Sequence, residues 1–188
     1  MGKSTERNLA AEKEFAALGQ VLIQTANDAA QCLKVLKKNL SEYDSRHGNH
    51  FLGTAKSFMR SDIRNAKDIS SDLKDVAHQI QKSHKPSKAE VASARNMMNA
   101  TSQAMDVLKV TALNYDEKNN HGGGTFSNHD GVEALVKSTL RDNFNLNVLS
   151  YQIITTEKTL SPSLVERAKE AVHDVKDKLK RQPTTTTA

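Results

Sequence analysis

The sequence predicts an all-α fold, an elongated antiparallel up-down bundle of four long helices with a shorter C-terminal helix. Three observations carry this. Apolar side chains recur every seven residues through several segments of comparable length, the pattern of amphipathic helices whose stripes cover one another. Aromatic residues make up 4% of the chain and Trp is absent, so the core must be built from Leu, Ala, Ile, Val and Met. The three prolines, Pro86, Pro162 and Pro183, fall at the ends of periodic segments and not inside them.

The first segment is the longest. Phe15, Leu22, Ala29, Leu36 and Tyr43 form one seven-residue row, and Ala26, Leu33 and Leu40 fill the row beside it. Ser4 or Thr5 is the expected cap, and a helix from there to Tyr43 or Asp44 is roughly 55–60 Å long at 1.5 Å per residue. Ser45 to His50 reads as the first turn, with Gly48 and Asn49 as stop residues. The second helix is expected from about Phe51 to Ser83. Leu52, Met59, Ala66, Leu73 and Ile80 make one row, Ala55, Ile69 and Val76 support the other, and Phe58 and Ile63 widen the stripe. Lys85-Pro86 ends it, because the residue before proline is pushed out of helical geometry.

Ser87 to Glu90 is a capping box that opens the third helix. Val91, Met98, Met105 and Ala112 form one row; Ala94, Thr101, Leu108 and Tyr115 form the other. Periodicity stops between Glu117 and Gly131, a long glycine- and asparagine-rich loop. Asp130 to Glu133 resembles another capping box, and Val132, Leu135, Leu146, Leu149, Ile153 and Leu160 continue a stripe through a fourth helix. Asn143, Asn145 and Asn147 weaken helix propensity and mark the place for a kink or short break. Ser161-Pro162 opens the last helix, with proline at its favoured first position and Val165, Ala168, Val172, Val175 and Leu179 as the stripe. The reading is one domain over 1–183 and a disordered Thr-rich tail over 184–188. No short internal repeat stands out, which favours a bundle over a solenoid.

The bulk numbers limit function more than they assign it. Formal net charge is +5 and the pI near 9.3, with +4 on residues 1–94 and +1 on 95–188, a mildly basic surface without a basic arm. Cys32 stands alone beside the first stripe, which excludes an intramolecular disulfide or a cysteine-rich zinc site and suggests a buried, inert thiol. No stretch approaches the ~18 apolar residues of a membrane span. Glu6 stands where a myristoylation signal needs Ser or Thr, and no signal peptide is evident. The expected setting is cytoplasmic.

Two constellations are candidates for function. A basic ladder of Lys56, Arg60, Arg64, Lys67 and Lys74 climbs the second helix away from its apolar stripe, and Lys34, Lys37 and Lys38 at the end of the first helix can extend it. Such a row suits the phosphates of RNA or DNA or an anionic membrane surface, though Asp68, Asp72 and Asp75 interleave with it and no aromatic stands ready to stack on bases. In an up-down bundle His47, His50, His121 and His129 share one pole with Asp44, Asp116 and Asp130, a donor set suited to zinc. Asp62 falls on the apolar side of the second helix and is expected to pair across the core, with Thr101 or a basic residue, or to mark a polar spot in an intermolecular seam. His121 to Gly124 lacks the nucleophile elbow that an oxyanion hole requires, and no phosphate loop, His-Glu-x-x-His or di-iron motif is present. No cofactor or small-molecule substrate is implied. The expectation is a non-enzymatic protein–protein interaction or assembly module, partnered by another protein or by a second copy in a homo-oligomer; the alternative is a polyanion-binding protein using the basic face.

Overall fold

The computed structural model describes residues 2–47, 53–83, 85–120 and 131–161. Six helices account for most of them: α1 (Gly2–His47), α2 (Ala55–Phe58), α3 (Arg60–Lys82), α4 (Lys88–Asn120), α5 (Val132–Asn143) and α6 (Asn147–Leu160), with no strand among the described residues. The all-α reading therefore holds. The helix expected beyond Ser161 and the 184–188 tail lie outside the described residues.

Several boundaries differ from the sequence reading, each for a local reason. α1 already begins at Gly2, ahead of the expected Ser4 or Thr5 cap. Phe51, the expected start of the second helix, lies outside the described residues; Gly53 has φ +93°, and Thr54 then caps α2 by accepting from the Ser57 N–H. A turn at Met59 separates α2 from α3, bridged by the Ile63 N–H donating to the Met59 carbonyl. α4 runs on to Asn120, so the loop begins later than Glu117. The weak point at the asparagines is a true break. Phe144 is extended, the Asn143 side chain donates back to the Thr139 carbonyl, and the Asn147 N–H donates to the Asn145 side chain. Side-chain amides that compete for backbone groups end helices in this way.

The predicted stripes form the core. Leu22, Ala29, Leu36, Leu40 and Tyr43 of α1 are buried, as are Met59, Ala66, Leu73 and Ile80, and Val91, Thr101, Leu108 and Tyr115. α1 packs along α3, α3 along α4, and α5 and α6 lie against both α1 and α4. Two clusters divide this interior. One joins Leu36, Leu40 and Tyr43 to Ala55, Met59, Leu108, Tyr115, Val132 and Val136. The other joins Phe15, Leu18 and Leu22 to Leu73, Ile80, Val91, Leu149 and Ile153. The end of α1 thus meets the start of α2, the end of α4 and the start of α5, the pole at which the site residues were expected. Gly19 lets α1 approach α3 closely, since an added Cβ would sit 3.2 Å from Ile80 Cγ2.

Candidate functional site

At the shared pole, two carboxylates hold the next helices in place. Asp44, in the last turns of α1, accepts from the Ala55 N–H (2.7 Å) and the Lys56 N–H (3.1 Å). Asp116, near the end of α4, accepts from the Val132 N–H (2.9 Å) and the Glu133 N–H (2.8 Å). Each neutralises orphan donors at a positive helix end from across the turn, so Asp116 caps the start of α5, and Asp130 of the expected box lies outside the described residues. Burial pushes the Asp116 carboxyl above its ordinary range, against the lowering effect of those two backbone bonds.

This arrangement gives two carboxylates of the expected metal set a capping role. Both oxygens of Asp44 and of Asp116 already accept backbone protons. His47 stacks on Tyr43 at 4.0 Å, with Nδ1 2.9 Å from the Tyr43 carbonyl. His50, His121 and His129 lie outside the described residues, and among the described residues no three His, Cys, Asp or Glu side chains come together. Asp62 is half-buried and does pair across helices, but with Thr111 and not Thr101: the Thr111 hydroxyl donates to it at 2.7 Å. Thr101 is turned instead to the Met97 carbonyl.

The two groups of basic residues do come together. Asn39 of α1 reaches Thr139 of α5, so that flank of α1 faces α5, and the 100° step per residue puts Lys34 and Lys37 on the opposite flank, beside α3. Asp62 marks the α4-facing flank of α3, which places Arg60, Arg64, Lys67 and Lys74 on the flank beside α1, and the bond from the Lys56 N–H to Asp44 holds Lys56 of α2 beside α1 as well. The contacts of Gly19 with α3 and of Asp44 with Ala55 set an antiparallel register in which Lys34 is level with Arg64 and Lys38 with Arg60. The ladder thus becomes a seam between two helices, spanning about 27 Å from Lys56 to Lys74. All its cations are exposed except Lys74, which is half-buried.

Charge pairing is sparse along this seam. Lys38 pairs with Glu42 at 3.6 Å. Among the described residues, Lys34, Lys37, Lys56, Arg60, Arg64, Lys67 and Lys74 have no carboxylate within ion-pair distance, Asp68, Asp72 and Asp75 notwithstanding. Elsewhere pairing is mixed: Arg95 forks onto Glu157, Lys109 meets Asp106, Lys137 meets Glu133 and Arg141 meets Asp142, whereas Lys13, Arg46, Lys82, Lys85, Lys88, Lys118 and Lys158, scattered over the other described surfaces, have no ion-pair partner among the described residues. Phe58, the one aromatic on α2, is on the other flank, edge-on to Tyr115 and beneath Lys118.

Sequence reasoning missed a second feature, a cavity of about 490 Å³ where α4 passes the α5–α6 break, floored by Met105, Leu140 and Phe144 and rimmed by Lys109, Lys137 and Arg141. The three asparagines that mark the break were the only signal for it. Compared with protein-family models, curated proteins and solved structures, the chain matches none.

Proposed function

We propose that the chain is a non-enzymatic helical binding module that holds the phosphate backbone of a double-stranded nucleic acid on the α1/α3 seam. The observation that supports this is the concentration of cations lacking carboxylate partners on one seam. Unmatched cations on a rigid helix pair release condensed counterions on meeting phosphate, whereas cations already paired must first give up a partner. Among the described residues the seam has no aromatic to stack unpaired bases, which favours a duplex over a single strand. Nor is there, among the described residues, an apolar wedge on it to enter a bilayer, which disfavours a membrane.

The test is titration of a 16-base-pair DNA duplex at several salt concentrations. Engagement of about five to seven phosphates gives a log–log salt slope of roughly −4.5 to −6. The double variant R60E/R64E should flatten that slope by about 2 and weaken binding at least tenfold at 100 mM salt. Equal binding by the variant, or binding only to anionic vesicles, refutes the reading.

The architecture that suits this role is an elongated antiparallel up-down bundle of four rods, with α5 and α6 sharing the fourth. The opposed chain directions within the two core clusters support it. A second reading, assembly with another protein or with a second copy, is favoured by the outer face of α6, where Val148, Tyr151 and Ile154 are exposed, Tyr151 to 70%. Light scattering separates the two: a salt-insensitive dimer abolished by Y151E supports assembly, and a monomer under all conditions opposes it.

A further inference from the structure

We propose that the chain is a tandem duplication of one helical hairpin, and that its cationic seam is present twice: open between α1 and α3, and closed by the protein's own acids between α4 and α5.

The twin caps reveal the equivalence. Aligning Asp44 with Asp116 superposes Tyr43 on Tyr115, Gln31 on Gln103, and Val35-Leu36-Lys37 on Val107-Leu108-Lys109, six identities in the fourteen positions from 31 to 44. Burial follows the same alignment: Ala29, Cys32, Leu33, Leu36, Leu40 and Tyr43 correspond to Thr101, Ala104, Met105, Leu108, Ala112 and Tyr115, all buried. Aligning the capped residues Ala55 and Val132 then pairs Met59 with Val136 and Ile63 with Leu140, again all buried.

The polar contacts between hairpins obey the same relation. Asn39 of α1 donates to Thr139 of α5 at 2.9 Å, and Thr111 of α4 donates to Asp62 of α3 at 2.7 Å. Position 39 corresponds to 111, and 62 to 139, so the two bonds are one contact repeated about a local two-fold axis. Heptad periodicity alone gives matching stripes, but it does not give matching caps, matching polar pairs and a shared Tyr-Asp.

Carried onto the seam, the relation is specific. Lys37, Arg60 and Arg64 reappear as Lys109, Lys137 and Arg141, the cations around the cavity beside α5. Three further exchanges close the second copy. Lys34 becomes Asp106, Lys56 becomes Glu133 and Asn65 becomes Asp142, and these acids are the ion-pair partners of Lys109, Lys137 and Arg141. One hairpin offers its cations to a polyanion; the other spends the same cations on itself. This inference rests on the seam reading for its ligand, but not for the duplication.

Two measurements on the full chain test it. In the R60E/R64E background, D106K/E133K/D142N restores the first hairpin's charges to the second. Recovery of duplex binding to within tenfold of wild type is expected, and no recovery while wild type binds overturns the second seam. Separately, D62T/T111N transplants the Asn–Thr pair into the other half; its melting temperature is expected within about 2 °C of wild type. A loss as large as that of D62A overturns the duplication whatever the ligand result. If wild type itself binds no duplex, the seam reading falls and takes the ligand half of this inference with it, while the melting comparison still decides the repeat.

Discussion

Replacing Asp116 by alanine removes the acceptor for two N–H groups at once, those of Val132 at 2.9 Å and Glu133 at 2.8 Å. Loss of a good N-terminal cap costs about 1–2 kcal/mol, and in a chain of this size each kcal/mol lowers the melting temperature by about 2–4 °C. D116A should therefore melt about 2–8 °C below wild type, and D116N, which keeps one acceptor oxygen, should fall between. Gly131 supplies an internal control. A Cβ there would lie 2.5 Å from Asp116 Oδ2, while its φ of −80° is open to any residue. G131A should then destabilise only by displacing the carboxylate, so it should cost about as much as D116A alone and little more in the D116A background. The raised Asp116 pKa adds a sign. Between its ordinary value and its raised one, the folded state binds more proton than the unfolded, so this residue's contribution to stability falls as pH rises through that window. The D116N variant should lack that component. Urea denaturation at pH 4 and pH 7 reads all of this. A D116A cost below about 0.3 kcal/mol, or a G131A cost that persists undiminished without Asp116, would show that the cap does not hold α5.

Other expectations are simpler to state. Leu36→Ala and Leu108→Ala, at equivalent fully buried positions, should each cost about 2–5 kcal/mol by urea denaturation, and a cost under 1 kcal/mol would mean the core is looser than its burial indicates. Burial pushes the Cys32 thiol up to about 11, so its reaction with a disulfide reagent at pH 8 should be at least about a hundredfold slower than that of an exposed thiol and should become rapid on unfolding. Fast reaction in the native state would place Cys32 outside the core. Arg95→Ala breaks the fork onto a half-exposed Glu157 and should lower stability by no more than about 1 kcal/mol; a much larger loss in a thermal melt would assign that link a role in holding α6 to α4.

Much of the fold is legible because helical periodicity is a local signal. Phe15 to Tyr43, Met59 to Ile80 and Val91 to Tyr115 each repeat often enough for the buried face to be read directly, and that face is the buried one. The asparagines at 143–147 mark the break for the same reason. What a linear reading does not give is set across space. Asp44 and Asp116 look like free polar-end carboxylates until the next helix turns back onto them. Asp62 meets Thr111 and not Thr101 because the axial register of α3 against α4 is fixed by packing, which heptad counting leaves open. The repeat is hidden because Asp44 and Ala55 are separated by fewer residues than Asp116 and Val132, so no single offset aligns both halves. The seam was half visible: the ladder could be counted on one helix, but the arrival of Lys34 and Lys37 beside it depends on which flank of α1 faces α3.

The measurement that bears most directly on this account is the salt dependence of duplex binding by wild type and by R60E/R64E. The seam predicts a wild-type log–log slope of roughly −4.5 to −6, flattened by about 2 in the variant, with affinity at 100 mM salt reduced at least tenfold. Equal slopes and equal affinities in the two proteins, or no duplex binding at low salt, would contradict it.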